Sequence, residues 1–194
     1  MVMDQKTLIV LAIVVAAILI AAIIVIYRKY RSERLKKYFG TEYDRAVQLR
    51  GNPSKAEVEL INREKRVHSF PIKALAPAAR DRFAEEWSAV QRKFVDDPAL
   101  AVAEADSLVN RVMVARGYPM GDFEQRAADV SVTYPAVVQN YRSARTIVLR
   151  HNRGDAGTED LRQAMVHFRS LFDELLELPK GTVEERTIRH ERAS

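Results

Sequence analysis

Four histidines and two pairs of adjacent carboxylates are the residues of this 194-residue chain whose types could support metal or acid–base chemistry. They are His68, His151, His167, His190, Glu85-Glu86 and Asp96-Asp97. A metal site on a helix needs ligands one turn apart, as in His-Glu-x-x-His, and a di-iron bundle needs Glu-x-x-His on facing helices. Neither pattern occurs, since the residue three before His167 is Ala164. The sequence therefore predicts no metal ligands, and we expect His167 at the boundary of a helix surface.

The adjacent carboxylates have simpler interpretations than catalysis. Asp97 directly precedes Pro98, and an aspartate before a proline is typical of a helix N-cap followed by its first residue. Glu85-Glu86 lies within a polar stretch and is expected on a solvated helix face. We therefore predict no general acid or base at either pair.

Motifs for nucleophilic catalysis and phosphate binding are also missing from the sequence. There is no cysteine, no Gly-x-Ser-x-Gly elbow, and the seven glycines are too scattered for a phosphate-binding loop. The absence of cysteine also excludes disulfides and a lipoprotein anchor, and it is compatible with a reducing cytoplasm. We therefore predict no catalytic residue, no cofactor-binding residue and no cofactor, and we expect the chain not to be an enzyme.

Aromatic residues are the remaining candidates for a binding site. Six of them could line a pocket or fill a core: Phe83, Trp87, Phe94, Tyr118, Tyr141 and Phe168. Their helical spacing favours a core, because Phe83, Trp87 and Phe94 fall on one helix face. Both interpretations stay open at this point.

The elements that carry these residues are all predicted to be helices. Prolines and capping residues divide the chain, with Asn52-Pro53 opening one helix and Gly117 with Pro119 closing another. We expect Thr41 and Thr158 to be further N-caps. No segment alternates with the period of a strand. Short turns between the helices favour antiparallel neighbours, so the sequence predicts an all-α fold with an up-and-down bundle of about four helices over residues 77–177.

The N-terminal region contains an unbroken apolar run at residues 8–27, LIVLAIVVAAILIAAIIVIY. Twenty helical residues span about 30 Å, the thickness of the hydrocarbon core of a bilayer. A helix on the surface of a soluble domain would show a polar face, and this run shows none. It therefore predicts one transmembrane helix. With no ionisable residue inside, it indicates no proton or ion path.

A cleaved secretory signal is the competing interpretation of this run. It is disfavoured because the run exceeds the usual apolar length, the preceding MVMDQK has no net charge, and no small-x-small site comes after it. Small-residue spacing could also let two such helices approach as a homo-oligomer. The residues with this spacing are Ala12, Ala16, Ala17 and Ala21.

A basic collar at residues 28–37 comes directly after the apolar run. It contains Arg28, Lys29, Arg31, Arg34, Lys36 and Lys37, opposed only by Glu33. Basic residues next to a membrane helix favour the cytoplasmic side, which predicts an external N-terminus and a cytoplasmic C-terminal domain. The collar is also expected at the membrane surface, where anionic headgroups attract basic side chains.

The collar accounts for the whole net charge of +5. Residues 38–194 contain 24 basic and 24 acidic side chains, so their net charge is zero. The chain after the collar therefore has no global preference for nucleic acid, and we expect no nucleic-acid partner.

These patterns divide the chain into six predicted segments. They are a short extracytoplasmic N-terminus (1–7), a transmembrane helix (8–27), the basic collar (28–37), a peripheral helical linker (38–76), a helical bundle domain (77–177) and a loose charged tail (178–194).

Several strings of the sequence resemble a family of uncharacterised bacterial proteins that are often membrane-anchored. They are YFGTEYDR at 38–45, WSAVQRKFVDDP at 87–98, RGYP at 116–119, Tyr141-Arg142 and TEDLR at 158–162. The family usually has proline where this chain has Thr41. The resemblance covers residues 38–176 and implies a bacterial origin and membrane anchoring, and it supplies no functional residues.

Three hypotheses about function are compatible with the sequence. The first is a membrane-tethered helical interaction or scaffold module in a bacterial cytoplasmic (inner) membrane, with the lipid bilayer and an unknown protein as partners. The alternative is a ligand-binding or sensory domain with an aromatic-lined pocket in the bundle. An enzyme of unrecognised type is the third.

Overall fold

The computed structural model describes residues 5–177, with side chains described for Leu11 and for residues 13–177. The predicted tail at 178–194 lies outside the described residues, as do the first four residues of segment 1–7 and the side chain of Ala12. Within residues 5–177 the chain forms α-helices and no strand. The helices are α1 Gln5–Phe39, α2 Thr41–Arg50, α3 Pro53–His68, α4 Pro77–Lys93, α5 Pro98–Arg116, α6 Phe123–Thr133, α7 Val138–His151 and α8 Thr158–Leu176.

Helix α1 contains the apolar run and is long and apolar enough to cross a membrane. Its most apolar 18-residue window has a mean hydropathy of 2.2, and no residue of that window is buried against the rest of the described chain. Ile23, for example, exposes 65% of its surface. An apolar helix segment that packs on nothing in the described part of the chain is typical of one that lies in an apolar environment.

The same helix continues through the basic collar and ends inside the folded domain. Leu35 and Phe39 are completely buried. Gly40 then adopts φ +51, which is unfavourable for other residues, and α2 begins at once. The N-cap of α2 is thus Gly40, and that of α8 is Gly157, so the expectation that Thr41 and Thr158 are caps is wrong by one residue. At α2 the positive φ of Gly40 replaces a side-chain cap, whereas at α8 the Asp160 side chain accepts from the Gly157 N–H at 3.0 Å.

Residues 38–76, expected as a peripheral linker, contain a hydrophobic core shared with the end of α1. We call this cluster the junction core. It consists of Leu35, Phe39, Tyr43, Ala46, Ala56, Leu60, Val67 and Val132. Helix α3 begins as predicted, since Asn52 caps it by accepting from the Ser54 N–H at 2.8 Å, and Pro53 is its first residue. Val132 brings α6 into this core, so the junction core connects α1 to the bundle.

The larger core lies in the bundle of α4, α5, α7 and α8, with α5 packed between α4 and α8, and α8 also against α7. Together with the membrane-length helix before it, this confirms the predicted all-α fold. Asp97 caps α5, accepting from the Leu100 N–H at 2.9 Å. Short α6 packs on both α3 and α7, and its Ala127 and Val130 belong to the main core. The end of α5 is held against the extended segment before α4, because the Lys73 N–H donates to the Arg116 carbonyl at 2.9 Å.

Candidate functional site: an arginine-lined cleft

Glu42, in the first turn of α2, is completely buried where α2 meets α3 and α7. Its Oε1 accepts from Arg142 Nε and from Gln139 Nε2, both at 2.9 Å. Its Oε2 accepts from Arg142 Nη2 at 3.3 Å and from Arg63 Nη1 at 3.4 Å. A buried carboxylate is tolerated when its lone pairs are filled by charged donors, and Glu42 meets that condition.

Both arginines extend the ion pairs from Glu42 towards the surface. Arg142 Nη1 donates to Glu124 Oε2 at 2.6 Å, and Arg45 Nη2 donates to the same oxygen at 3.0 Å. Arg63 also pairs with Glu59, which in turn accepts from Arg50. Four helices, α2, α3, α6 and α7, are therefore joined by one network of charge-assisted hydrogen bonds.

Two carboxylates of this network, Glu124 and Glu59, have lowered pKa values that favour the ionised form. Burial opposes ionisation of Glu124, but the hydrogen bonds and charges of Arg142 and Arg45 outweigh it, so the pKa of Glu124 is lowered. Burial likewise opposes ionisation of Glu59, and the hydrogen bonds from Arg50 and Arg63 lower its pKa overall. Burial lowers the pKa of Arg142, but the hydrogen bonds and charges of Glu42 and Glu124 outweigh this effect. The pKa of Arg142 is therefore raised overall.

Above this network lies an open cleft of about 1170 Å³ between α2 and α3 on one side and α6 and α7 on the other. We call it the arginine cleft. Six basic residues line it, against the three acidic residues Glu59, Asp122 and Glu124: Arg45, Arg50, Lys55, Arg63, Arg66 and Arg142. Leu49 and Val58, which are 63% and 52% exposed, add an apolar part to the lining. The cleft is somewhat larger than a typical small-molecule pocket and has the mixed lining of a peptide-docking surface.

The α3 and α6 walls of the cleft are fixed to each other by a second buried carboxylate. Asp129 on α6 is 2% exposed and accepts from Arg66 Nε of α3 at 2.9 Å. Gln125 Nε2 donates to the same Asp129 oxygen at 3.0 Å. Because both walls are tied by buried polar contacts, the cleft is a preformed feature of the fold.

The basic collar divides into two groups. Arg34 Nη2 donates to Glu64 of α3 at 2.9 Å, and Arg31 Nε lies 4.0 Å from Glu57 of the same helix. Arg28, Lys29, Lys36 and Lys37 are exposed. Two of the six predicted membrane-surface residues therefore help to fix α1 against α3, and four present their charge to solvent or to a membrane surface.

The six candidate aromatic residues all belong to the main core or pack against it. Trp87 stacks on Phe172 with ring centroids 4.6 Å apart, and Tyr141 meets Phe168 edge-on at 6.3 Å. The described lining of the arginine cleft includes none of the six. His167 is half-buried beside Asn140, with Nδ1 3.2 Å from its side-chain oxygen, which matches its expected place at a helix boundary.

A second cleft, of about 620 Å³, lies between α4 and α5 and includes Phe83 and Asp106. Asp106 Oδ1 is buried and accepts no hydrogen bond from the described part of the chain. Burial raises the pKa of Asp106, and the charges of Arg126 and Arg145 only partly oppose this. Across residues 5–177, no three His, Cys, Asp or Glu side chains come together in a way that could hold a metal ion.

The central residues of the cleft are not evident from the sequence. Local patterns present Glu42 as a first-turn acid that favours the helix dipole, and Arg142 only as part of the Tyr141-Arg142 string. The sequence offers one signal for Arg142: it directly follows Tyr141, which belongs to the apolar stripe that α7 buries. The structure shows that these two charges meet, which needs the packing of α2 on α7.

The arginine cleft is thus a preformed, mainly basic surface, held by ion pairs between four helices. The resemblance of the five strings to a bacterial family stays a prediction. No family model, no curated protein and no solved structure matches this chain.

Proposed function

We propose that this chain is a single-pass, membrane-tethered interaction module of a bacterial cytoplasmic membrane, whose arginine cleft docks a protein partner. The observation that carries the proposal is the continuity of α1. One unbroken helix leads from the apolar run to Phe39, and Leu35 and Phe39 of its last turns are buried in the junction core. A domain joined in this way is held at a fixed height and orientation relative to the anchor, as a scaffold requires.

The proposed orientation, with the N-terminus outside, is supported by the charge beside the helix. Six basic residues come after the apolar run, whereas only Asp4 and Lys6 precede it. The rule that basic flanks stay in the cytoplasm then puts the bundle and the cleft inside the cell. A reporter that is active only in the cytoplasm should be active when it is fused after Ser194. Activity of a fused reporter that works only in the periplasm would contradict this orientation.

The composition of the cleft favours a partner segment that carries carboxylates and at least one apolar side chain. Arg45 keeps 34% of its side chain exposed although it is paired, so a partner carboxylate can reach it. Val58 provides apolar contact in the same cleft. Interfaces commonly combine arginine with a central apolar contact in this way.

Site-specific photo-cross-linking in native membranes tests the docking surface. A photoreactive residue at Val58, in the cleft, should give a reproducible protein adduct. The matched control is Val166 on α8, which has nearly the same exposure, 51% against 52%, outside the cleft. Adducts of the same proteins from both positions, or none from Val58, would contradict the proposal.

A ligand-binding or sensory domain is a second candidate, favoured by the basic excess of the cleft lining. The ligand would be a small anion such as a dicarboxylate or a polyphosphate, and the site would be the arginine cleft instead of an aromatic pocket. A thermal-shift series with these anions on the detergent-solubilised chain and on its Arg45→Gln variant separates the candidates. Stabilisation of the parent chain by one of these anions, without stabilisation of the Arg45→Gln variant, would indicate a small-ligand site.

A further inference from the structure

We propose that the turn between α2 and α3 lies on the cytoplasmic surface of the bilayer and binds anionic lipid headgroups. This inference depends on α1 spanning the membrane as proposed above. We call residues 49–55 the hairpin tip. It contains Leu49, Arg50 and Lys55, and no acidic residue. All seven of its residues are exposed. The inference makes the tip a second membrane contact, separate from the anchor helix.

The contacts between α1 and α3 show that the two helices run in the same direction. Arg31 reaches Glu57, and Arg34, further along α1, reaches Glu64, further along α3. Tyr43 of α2 bridges the same region, with its hydroxyl 3.2 Å from both Ser32 Oγ and Glu57 Oε1. Residues that precede Glu57 in α3 therefore lie towards the membrane end of α1.

The register places the tip at the height of the membrane surface. Pro53 lies four residues before Glu57, and Tyr27, the last residue of the apolar run, lies four residues before Arg31. At 1.5 Å per helical residue both steps are about 6 Å, so the Arg31–Glu57 pair places Pro53 level with Tyr27. By the same count the Arg34–Glu64 pair places Pro53 level with Ile23, about 6 Å further towards the membrane. Both levels lie at the collar end of the apolar run. Gly51 and Asn52 of the turn continue in the membrane direction, whereas Lys55, two residues after Pro53, lies about 3 Å further from the bilayer.

The chemistry of the tip suits a lipid surface better than a protein. Leu49 is 63% exposed and can enter the interface, and Arg50 keeps 55% of its side chain exposed beside Lys55. Arg28 and Lys29 of α1 add exposed charge at the same height. Basic side chains at that height are attracted to anionic headgroups, and an exposed leucine adds apolar insertion. The tip also forms one end of the arginine cleft, so the bilayer would close that end and leave Val58 accessible.

Fluorescence quenching in proteoliposomes tests the contact, and the natural absence of cysteine makes single labels unambiguous. The full chain carries an environment-sensitive label at Leu49→Cys, and the vesicles contain lipid-attached quenchers. Val95→Cys, 83% exposed in the turn before α5, is the control. We expect severalfold stronger quenching at Leu49 than at Val95, and stronger quenching with phosphatidylglycerol than with phosphatidylcholine alone.

A charge-reversal pair on one helix tests the headgroup assignment. Lys55→Glu should reduce the quenching of the Leu49 label severalfold. Lys65→Glu, also exposed on α3, should leave it unchanged, because it lies about 15 Å further from the bilayer and beyond the screening length of physiological salt.

A label at Tyr27→Cys separates failure of this inference from failure of the tether. If Tyr27 is not quenched, α1 does not span the membrane. If Tyr27 is quenched and Leu49 is quenched no more than Val95, the hairpin tip does not touch the bilayer. Equal quenching of Leu49 with and without anionic lipid, or cross-linking of Leu49 to a protein in native membranes, would overturn the headgroup assignment.

Discussion

Glu42 and Arg142, one hundred residues apart in the chain, form a buried ion pair with a 2.9 Å hydrogen bond from Arg142 Nε to Glu42 Oε1. The pair joins α2, the short helix after α1, to α7 of the bundle. Both side chains are largely withdrawn from water, so each charge depends on its partner for compensation. Loss of this pair should affect stability more than loss of an exposed pair.

Glu42→Gln should destabilise the domain strongly. The variant keeps the shape but removes the charge that compensates Arg142 and Arg63, and breaking a buried pair typically costs about 3–5 kcal/mol. Denaturant unfolding in detergent measures the change. The control is Asp173→Asn, which breaks an exposed pair with Arg169 and should cost at most about 1 kcal/mol. Equal costs for the two variants would contradict the role of Glu42.

Asp106→Asn should stabilise the domain at neutral pH. Burial raises the pKa of Asp106 above its usual 3.8, so the folded state penalises the charged form. For an acid with a raised folded pKa, the penalty is present above that pKa and disappears as the pH falls towards 3.8. The gain from the variant should therefore shrink on acidification, as followed by unfolding at several pH values. A gain independent of pH would contradict this cause.

Glu59→Gln should show the opposite pH dependence. Its folded pKa is lowered below 4.5, so its ionisation stabilises the domain above pH 4.5, and that contribution is lost as the pH falls through the folded pKa. The variant should unfold more easily than the parent chain at pH 7, and the difference should narrow below pH 4.5. An unchanged difference across this range would show that the ion pairs of Glu59 are not responsible.

Gly117→Ala should be much more destabilising than Gly154→Ala. Both glycines have positive φ, +96 and +83, which costs another residue about 1–2 kcal/mol. At Gly117 an added Cβ would also lie 2.5 Å from the Pro71 carbonyl oxygen, whereas at Gly154 it would meet no described atom within 4 Å. Unfolding free energies of the two variants measure the difference, and similar values would mean that the Pro71 segment moves aside freely.

Phe39→Ala should loosen the contact between α1 and the rest of the domain. Phe39 is fully buried in the junction core, and truncation of a buried phenylalanine costs about 3–5 kcal/mol. Distances between spin labels on α1 and on α5 should broaden in the variant. Tyr30→Ala, at a position that is 71% exposed, should leave the distribution narrow. A narrow distribution in Phe39→Ala would show that the ion pairs of Arg31 and Arg34 suffice.

Local patterns in the sequence were sufficient to predict the class of the fold and the membrane-length helix. These patterns are an uninterrupted apolar run, helical spacing of apolar residues, and the capping of α3 and α5 by Asn52 and Asp97. At α2 and α8 the N-caps are Gly40 and Gly157, so the prediction of a threonine cap was wrong by one residue at both helices. Side-chain caps have a recognisable residue type, whereas the conformation of a turn depends on how the two helices beside it pack in space.

The places where the charges of this nearly neutral domain meet were decided by tertiary packing alone. Glu42, Arg63 and Arg142 lie on three helices, and each belongs to a helix that also carries many exposed charges, so no local pattern distinguishes them. The same holds for Arg31 and Arg34, which look like the rest of the collar until α3 places Glu57 and Glu64 beside them. Ion pairing acts over a few ångströms in space at any separation along the chain, and only the packing of α2 and α3 against α1, α6 and α7 brings these residues within that distance.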